Sequence, residues 1–132
     1  MRLMLDTNIC IYIINARPPA VLQRFISHAV GDIGISVITL AELEYGAAKS
    51  AQPRRNREAL QQFISPLEVA PFDAEATTVY GRIRTTLERR GTPIGAMDLL
   101  IAAHAVSLGL TLITNNKREF EKVSGLRIEN WL

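Results

Sequence analysis

Four aspartates occur in the chain, Asp6, Asp32, Asp73 and Asp98, and two of them stand where a reaction centre forms. Asp6 follows the apolar run Leu3-Met4-Leu5 directly and is succeeded by Thr7 and Asn8. Asp98 follows the loop Gly91-Thr92-Pro93-Ile94-Gly95 and precedes Leu99-Leu100-Ile101-Ala102-Ala103, a helix too apolar to sit in solvent. A carboxylate at the mouth of a buried helix must be solvated in a cleft, paired or bound to a cation. Glu42 lies in a mostly apolar setting, Ser36-Val37-Ile38-Thr39-Leu40-Ala41-Glu42-Leu43, which favours a half-buried acid. Thr114-Asn115-Asn116 ends a second apolar run, Leu110 to Ile113. These donors are all oxygens. His28 and His104 stand alone and are expected to be structural, and Cys10 lies in an apolar helix as a small core residue. Oxygen-only donors suit Mg2+ or Mn2+ and argue against zinc. Such ions on carboxylate clusters commonly serve phosphate chemistry.

The elements that must bring these residues together alternate between strand and helix. Strands are expected at residues 3–5, 33–36, 67–71 and 110–114, with a last edge strand within 126–131. Helices are expected over residues 8–15, 20–30, 37–48, 58–64, 74–90, 96–108 and 117–123, with residues 50–57, which hold Pro53, as a loop. The alternative for Asn8 and for the Thr114-Asn115-Asn116 turn is that they only cap the helices that begin there. Alternation of this kind predicts an α/β fold, a mostly parallel four- to five-stranded sheet with helices on both faces, in one domain spanning residues 1–132. In open sheets of this type ligands bind at the carboxyl ends of the strands. That is the edge where Asp6 and the Thr114-Asn115-Asn116 turn would stand.

Composition narrows the class. The chain has 132 residues, 48% of them apolar, and no low-complexity run, which excludes disorder. A net charge of +2 is too small to imply nucleic acid by itself. The kind of base says more: twelve Arg against three Lys, and Arg is the better bidentate phosphate ligand. Arg54, Arg55 and Arg57, with Arg82, Arg84, Arg89 and Arg90, are candidates for holding a phosphate backbone. A single cysteine precludes an internal disulfide and points to a reducing compartment. Asp6 interrupts the only early apolar run, so neither a signal peptide nor a membrane span is expected, and the expected location is cytoplasmic.

Four short motifs in order carry a resemblance. They are Leu5-Asp6-Thr7-Asn8; Ser36-Val37-Ile38-Thr39 with Glu42-Leu43 and Gly46; Asp98 with Ile101-Ala102-Ala103-His104-Ala105; and Leu112-Ile113-Thr114-Asn115-Asn116 with Glu119-Phe120. Each alone is weak, but the set in this order resembles PIN-domain ribonucleases, in particular the toxins of VapBC toxin–antitoxin pairs, along the whole chain. The resemblance implies Mg2+- or Mn2+-dependent hydrolysis of RNA, tRNA among the substrates, leaving 5′-phosphate and 3′-hydroxyl ends. It places the metal-binding acids at Asp6, Glu42 and Asp98. The fourth catalytic position, often Asp, falls on Asn116, with Glu119 ranked below it as a substitute. Thr7, Asn8, Ser36 and Thr114 are expected to orient substrate or water. A homodimer is implied, together with a VapB-type antitoxin that blocks the site and supplies the contact to operator DNA.

Two other strand-end-aspartate chemistries fit less well. A haloacid-dehalogenase-like phosphatase needs a second acid two residues after the first, where Asn8 stands. A phosphoacceptor receiver needs an acid pair beside Asp6, which the sequence lacks. A PIN domain that has lost catalysis and only binds is the third alternative, and the neutral Asn116 is what keeps it open.

Overall fold

Three residues, Leu3–Leu5, form strand β1, and all are buried. The computed structural model describes residues 1–132. Strands β2 (Ile33–Ser36), β3 (Glu68–Ala70), β4 (Thr111–Ile113) and β5 (Arg127–Glu129) join β1 in a five-stranded sheet ordered β3-β2-β1-β4-β5. Every pairing is parallel; Leu5 sits opposite Ile35 on one side and Ile113 on the other. Central parallel strands are covered on both faces, so they read as unbroken apolar runs instead of alternating ones.

Seven helices provide that cover: α1 (Thr7–Ile14), α2 (Pro19–Ile26), α3 (Val37–Ala48), α4 (Pro53–Ile64), α5 (Ala74–Arg89), α6 (Ala96–Leu108) and α7 (Lys117–Phe120). The pleat divides β1 between two cores. Leu3 and Leu5 pack with Ile9, Cys10 and Ile13 of α1, Leu43 of α3, Leu60 of α4 and Trp131. Met4 faces the other way, onto Ile83 and Leu87 of α5, Leu99 and Ile101 of α6, and Phe120. Each fully buried aliphatic side chain contributes roughly 1.5–3 kcal/mol. Helix α6 is buried nearly all round and ends at Gly109, whose φ of 67° closes it in the left-handed conformation glycine tolerates. No helix is long and apolar enough to cross a membrane.

The topology fixes the working edge. From β1 the chain winds outward to β2 and β3, then returns through α5 and α6 to β4 on the opposite side of β1. The crevice at such a reversal lies between the carboxyl ends of the two strands that flank it. Here those ends are Asp6 and Thr114, directly after β1 and β4.

Several expectations are corrected in detail. Helix α4 begins at Pro53, inside the stretch expected to be a loop, because proline at the first helical position lacks only an N–H that would go unpaired there. Helix α2 ends at Ile26 instead of residue 30, and a 3-10 turn, Val30–Asp32, leads into β2. The residue that caps α1 is Asp6, not Asn8. Asn116 precedes α7 without a capping bond from its side chain.

Candidate active site

Asp6 is only 5% exposed, and two neutral donors hold it in place. Its Oδ1 accepts the Ile9 N–H at 2.9 Å, the capping bond of α1, and the Thr114 hydroxyl bonds to the same carboxylate. Burial pushes its pKa up, and the Glu42 charge adds to the rise. Glu42, on α3, is half-buried, and its Oε1 accepts from the Thr7 hydroxyl at 2.5 Å. Thr7 thus acts on the glutamate, tying the first turn of α1 to α3.

Asp98 lies in the first turn of α6, half-buried. Its pKa rises to about 7, first through burial, then through the hydrogen bond and charge of Glu119, then through the charges of Glu42 and Asp6. Glu119, on α7, moves the other way. Its Oε1 accepts the Gly95 N–H at 3.1 Å and its Oε2 accepts from Asn116 Nδ2 at 3.0 Å, so its carboxyl is held below the ordinary range. Of the two carboxyls, Asp98 is the one pushed up and Glu119 the one held down.

The candidate residues divide accordingly. Asp6, Glu42 and Asp98 interact electrostatically, as the positions of the motifs imply. They do not close around one point at coordinating distance. Like charges repel, and each carboxylate is tied to a donor of its own, so the cluster stands open. At the fourth position, Glu119 stands beside Asp98, and Asn116 donates to Glu119 through its Nδ2. Nothing local to Lys117-Arg118-Glu119-Phe120 announces this, because the bond to Gly95 spans 24 residues. Ser36 and Thr114, expected to orient substrate, are both fully buried and committed to protein partners. Asn8 is exposed in the first turn of α1. Asn115, read only as part of the turn after β4, has a role of its own: its Nδ2 donates to the Tyr12 hydroxyl at 2.8 Å and anchors that turn to α1.

The donor set fits a hard divalent cation. Asp6, Glu42, Asp98 and Glu119 supply only carboxylate oxygens, and the four salt bridges of the molecule lie elsewhere, at Arg2–Asp32, Arg24–Glu129, Arg57–Glu44 and Arg84–Glu88. A crowd of partly buried carboxylates with no salt bridge to Lys or Arg, and only the charge of Lys122 acting on Glu119, has a negative potential that Mg2+ or Mn2+ would relieve.

Comparison with known proteins agrees with this chemistry. The PIN domain family profile matches residues 3–126. The tRNA(fMet)-specific endonuclease VapC of Shigella flexneri is 49% identical over 131 residues, covering 99% of this chain and 98% of that protein. Ribonuclease VapC2 of Rickettsia felis is 46% identical over 129 residues, 97% of this chain and 96% of that one. A chain in the crystal structure of DNA-bound VapBC from Salmonella typhimurium, 48% identical, superposes with a TM-score of 0.95 over 100% of this chain and 99% of that chain. By family profile, near-half identity along its whole length and superposed fold, the chain belongs to the PIN domain family, among its VapC ribonucleases.

Proposed function

We propose that this protein is a VapC-type toxin, a divalent-metal-dependent endoribonuclease that cuts tRNA, arrests translation and is neutralised by a VapB-type antitoxin. The observation that carries the reading is the set of mutually repelling carboxylates at the sheet's reversal point, none of them in a salt bridge. A chain nearly half identical to a tRNA-specific endonuclease makes tRNA the first substrate to try.

Asp6, Glu42 and Asp98 would hold Mg2+ or Mn2+, with Glu119 completing the carboxylate set beside Asp98. When bound, the ion lowers the pKa of coordinated water and offsets charge developing on the scissile phosphate. The chain's own residues set the geometry. Thr114 and the Ile9 N–H orient Asp6, Thr7 orients Glu42, and Asn116 with the Gly95 N–H orients Glu119. Asn8, exposed two residues beyond Asp6, is placed to meet the phosphate or a water beside it. Hydrolysis leaves 5′-phosphate and 3′-hydroxyl ends. The protein acts in the cytoplasm as a homodimer, and it reaches operator DNA only through the antitoxin.

Asp6→Asn separates chemistry from folding. The amide oxygen still accepts the Ile9 N–H, so α1 keeps its cap, while the buried negative charge disappears. The expected result is loss of most Mn2+-dependent cleavage, read by mapping RNA ends, with a melting temperature no lower than wild type. Wild-type cleavage by purified Asp6→Asn would sink the proposal.

A further inference from the structure

One buried titratable side chain has no part in that chemistry. His104 lies on α6, 1% exposed, six residues after Asp98. Its Nδ1 is 2.7 Å from the hydroxyl of Ser36, a residue 68 positions earlier in the chain. Ser36 is the N-cap of α3, six residues before Glu42, and its Oγ already accepts the Ile38 N–H at 3.0 Å. The Ser36 hydroxyl has no acceptor for its own proton other than Nδ1, so it donates there and His104 carries its proton on Nε2. That N–H is directed at the Pro71 carbonyl, between β3 and α5, without reaching hydrogen-bonding geometry, and it is one of only two buried side-chain polar atoms left without a partner. The Phe72 ring stands edge-on to the imidazole at 5.2 Å.

We infer that His104 is a positioning residue, which through Ser36 locks the N-terminus of α3 to α6 and so sets the spacing between Glu42 and Asp98. The inference rests on the reading of the cleft as a divalent-ion site. Three arguments converge on it. Glu42 and Asp98 repel, and their mutual charge acts to part the two helices that carry them. The His104–Ser36 bond is the only side-chain hydrogen bond joining the α3 segment to α6. A leucine would fill the same volume without burying an unpartnered N–H, so packing alone does not account for an imidazole here.

The test uses the full chain, calorimetric titration with Mn2+ alone, and steady-state RNA cleavage. His104→Leu keeps the bulk and removes the bond. His104→Asn puts an amide oxygen where Nδ1 stood and restores an acceptor for Ser36. Ser36→Ala cuts the link from the other side. His104→Leu and Ser36→Ala are each expected to weaken Mn2+ binding about tenfold or more, the scale on which groups behind the ligands act. Cleavage should fall in kcat more than it changes in KM, His104→Asn should recover most of both losses, and the double variant should be no worse than either single one. Wild-type Mn2+ affinity in folded His104→Leu would overturn the inference, as would His104→Asn behaving no better than leucine. If His104→Leu fails to fold, wild-type affinity in Ser36→Ala overturns it instead. A wild-type chain that neither binds Mn2+ nor cuts RNA would bring down the nuclease reading and this inference with it, an outcome distinct from selective failure of the variants.

Discussion

At the scale of single residues, the site is a problem of like charges. Asp6 and Asp98 are both pushed up by burial and by neighbouring carboxylates, while Glu119 is held down by donors. The consequence for stability has a definite sign. Asp98 is pushed up to about 7 in the folded chain against 3.8 for a free carboxyl, so between those values the folded state binds more protons than the unfolded one. Stability therefore falls as pH rises through that window, opposite to the behaviour of a salt-bridged aspartate. In chelator, the melting temperature should be higher near about pH 5 than near about pH 8. Asp98→Asn should remove most of this slope. Glu119→Gln, which keeps an acceptor for the Gly95 N–H, should lessen it by removing the nearest negative charge. Thermal melts across pH would decide the matter, and a metal-free profile that rises through this range in wild type but not in Asp98→Asn would contradict the assignment. Saturating Mn2+ should flatten the wild-type profile, because a bound cation supplies the compensation the protein lacks.

At the scale of elements, the short strands do the positioning, and β2 shows how little room they have. Gly34 lies opposite Met4 of β1 and Glu68 of β3. A Cβ there would come within 2.7 Å of the Glu68 carbonyl oxygen and 2.6 Å of the Met1 sulfur. The methionine side chain can move, but the strand backbone cannot without disturbing the register that carries Ser36 to the start of α3. Gly34→Ala should therefore cost roughly 1–3 kcal/mol, the range of overpacked cores, read as a shift in the denaturant midpoint. An unchanged midpoint would mean that β3 yields freely. Legibility in the sequence followed the same division between local and distant causes. Central strands announce themselves, because burial on both faces leaves uninterrupted apolar runs, and the small polar residues after β1 and β4 mark the strand ends. The acids Asp6 and Asp98 were readable from those junctions. Pro53 misled because proline signals a break and a helix start equally well. The surroundings of Glu119 and Ser36 were hidden for a different reason. The first is brought beside Asp98 by its bond to Gly95, a contact across 24 residues of chain, and the second turns inward because all four residues of β2 are buried. Neither fact exists until the sheet is assembled.

For the whole molecule, a net charge of +2 conceals a separation. Four of the thirteen acids, Asp6, Glu42, Asp98 and Glu119, gather at the carboxyl edge of the sheet, whereas six of the twelve arginines lie on α4 and α5. An RNA backbone meets repulsion from the uncompensated carboxylates, so its binding energy must come from a bound cation and from basic groups at a distance. Of the arginines on the two rich helices, Arg57 pairs with Glu44 and Arg84 with Glu88, which leaves Arg54, Arg55, Arg82, Arg89 and Arg90 without an acidic partner. Arg54 and Arg57 also border an open polar hollow with Glu58, Gln61 and Gln62, a surface suited to phosphates and to little that is apolar. If α4 lies along the RNA path, each arginine that neutralises a phosphate releases counterions, contributing about 0.7 to the slope of log affinity against log salt for single strands. Arg54→Gln with Arg55→Gln, built on the Asp6→Asn background so that the RNA stays intact, should then lower that slope by up to about twice this amount. The parallel pair Arg89→Gln with Arg90→Gln asks the same of α5. Binding titrations over a range of salt concentrations would separate the two helices. A slope unchanged by either pair would remove that helix from the interface and reduce its arginines to solvated surface, whereas weaker binding at constant slope would point to a change in shape instead of lost phosphate contacts.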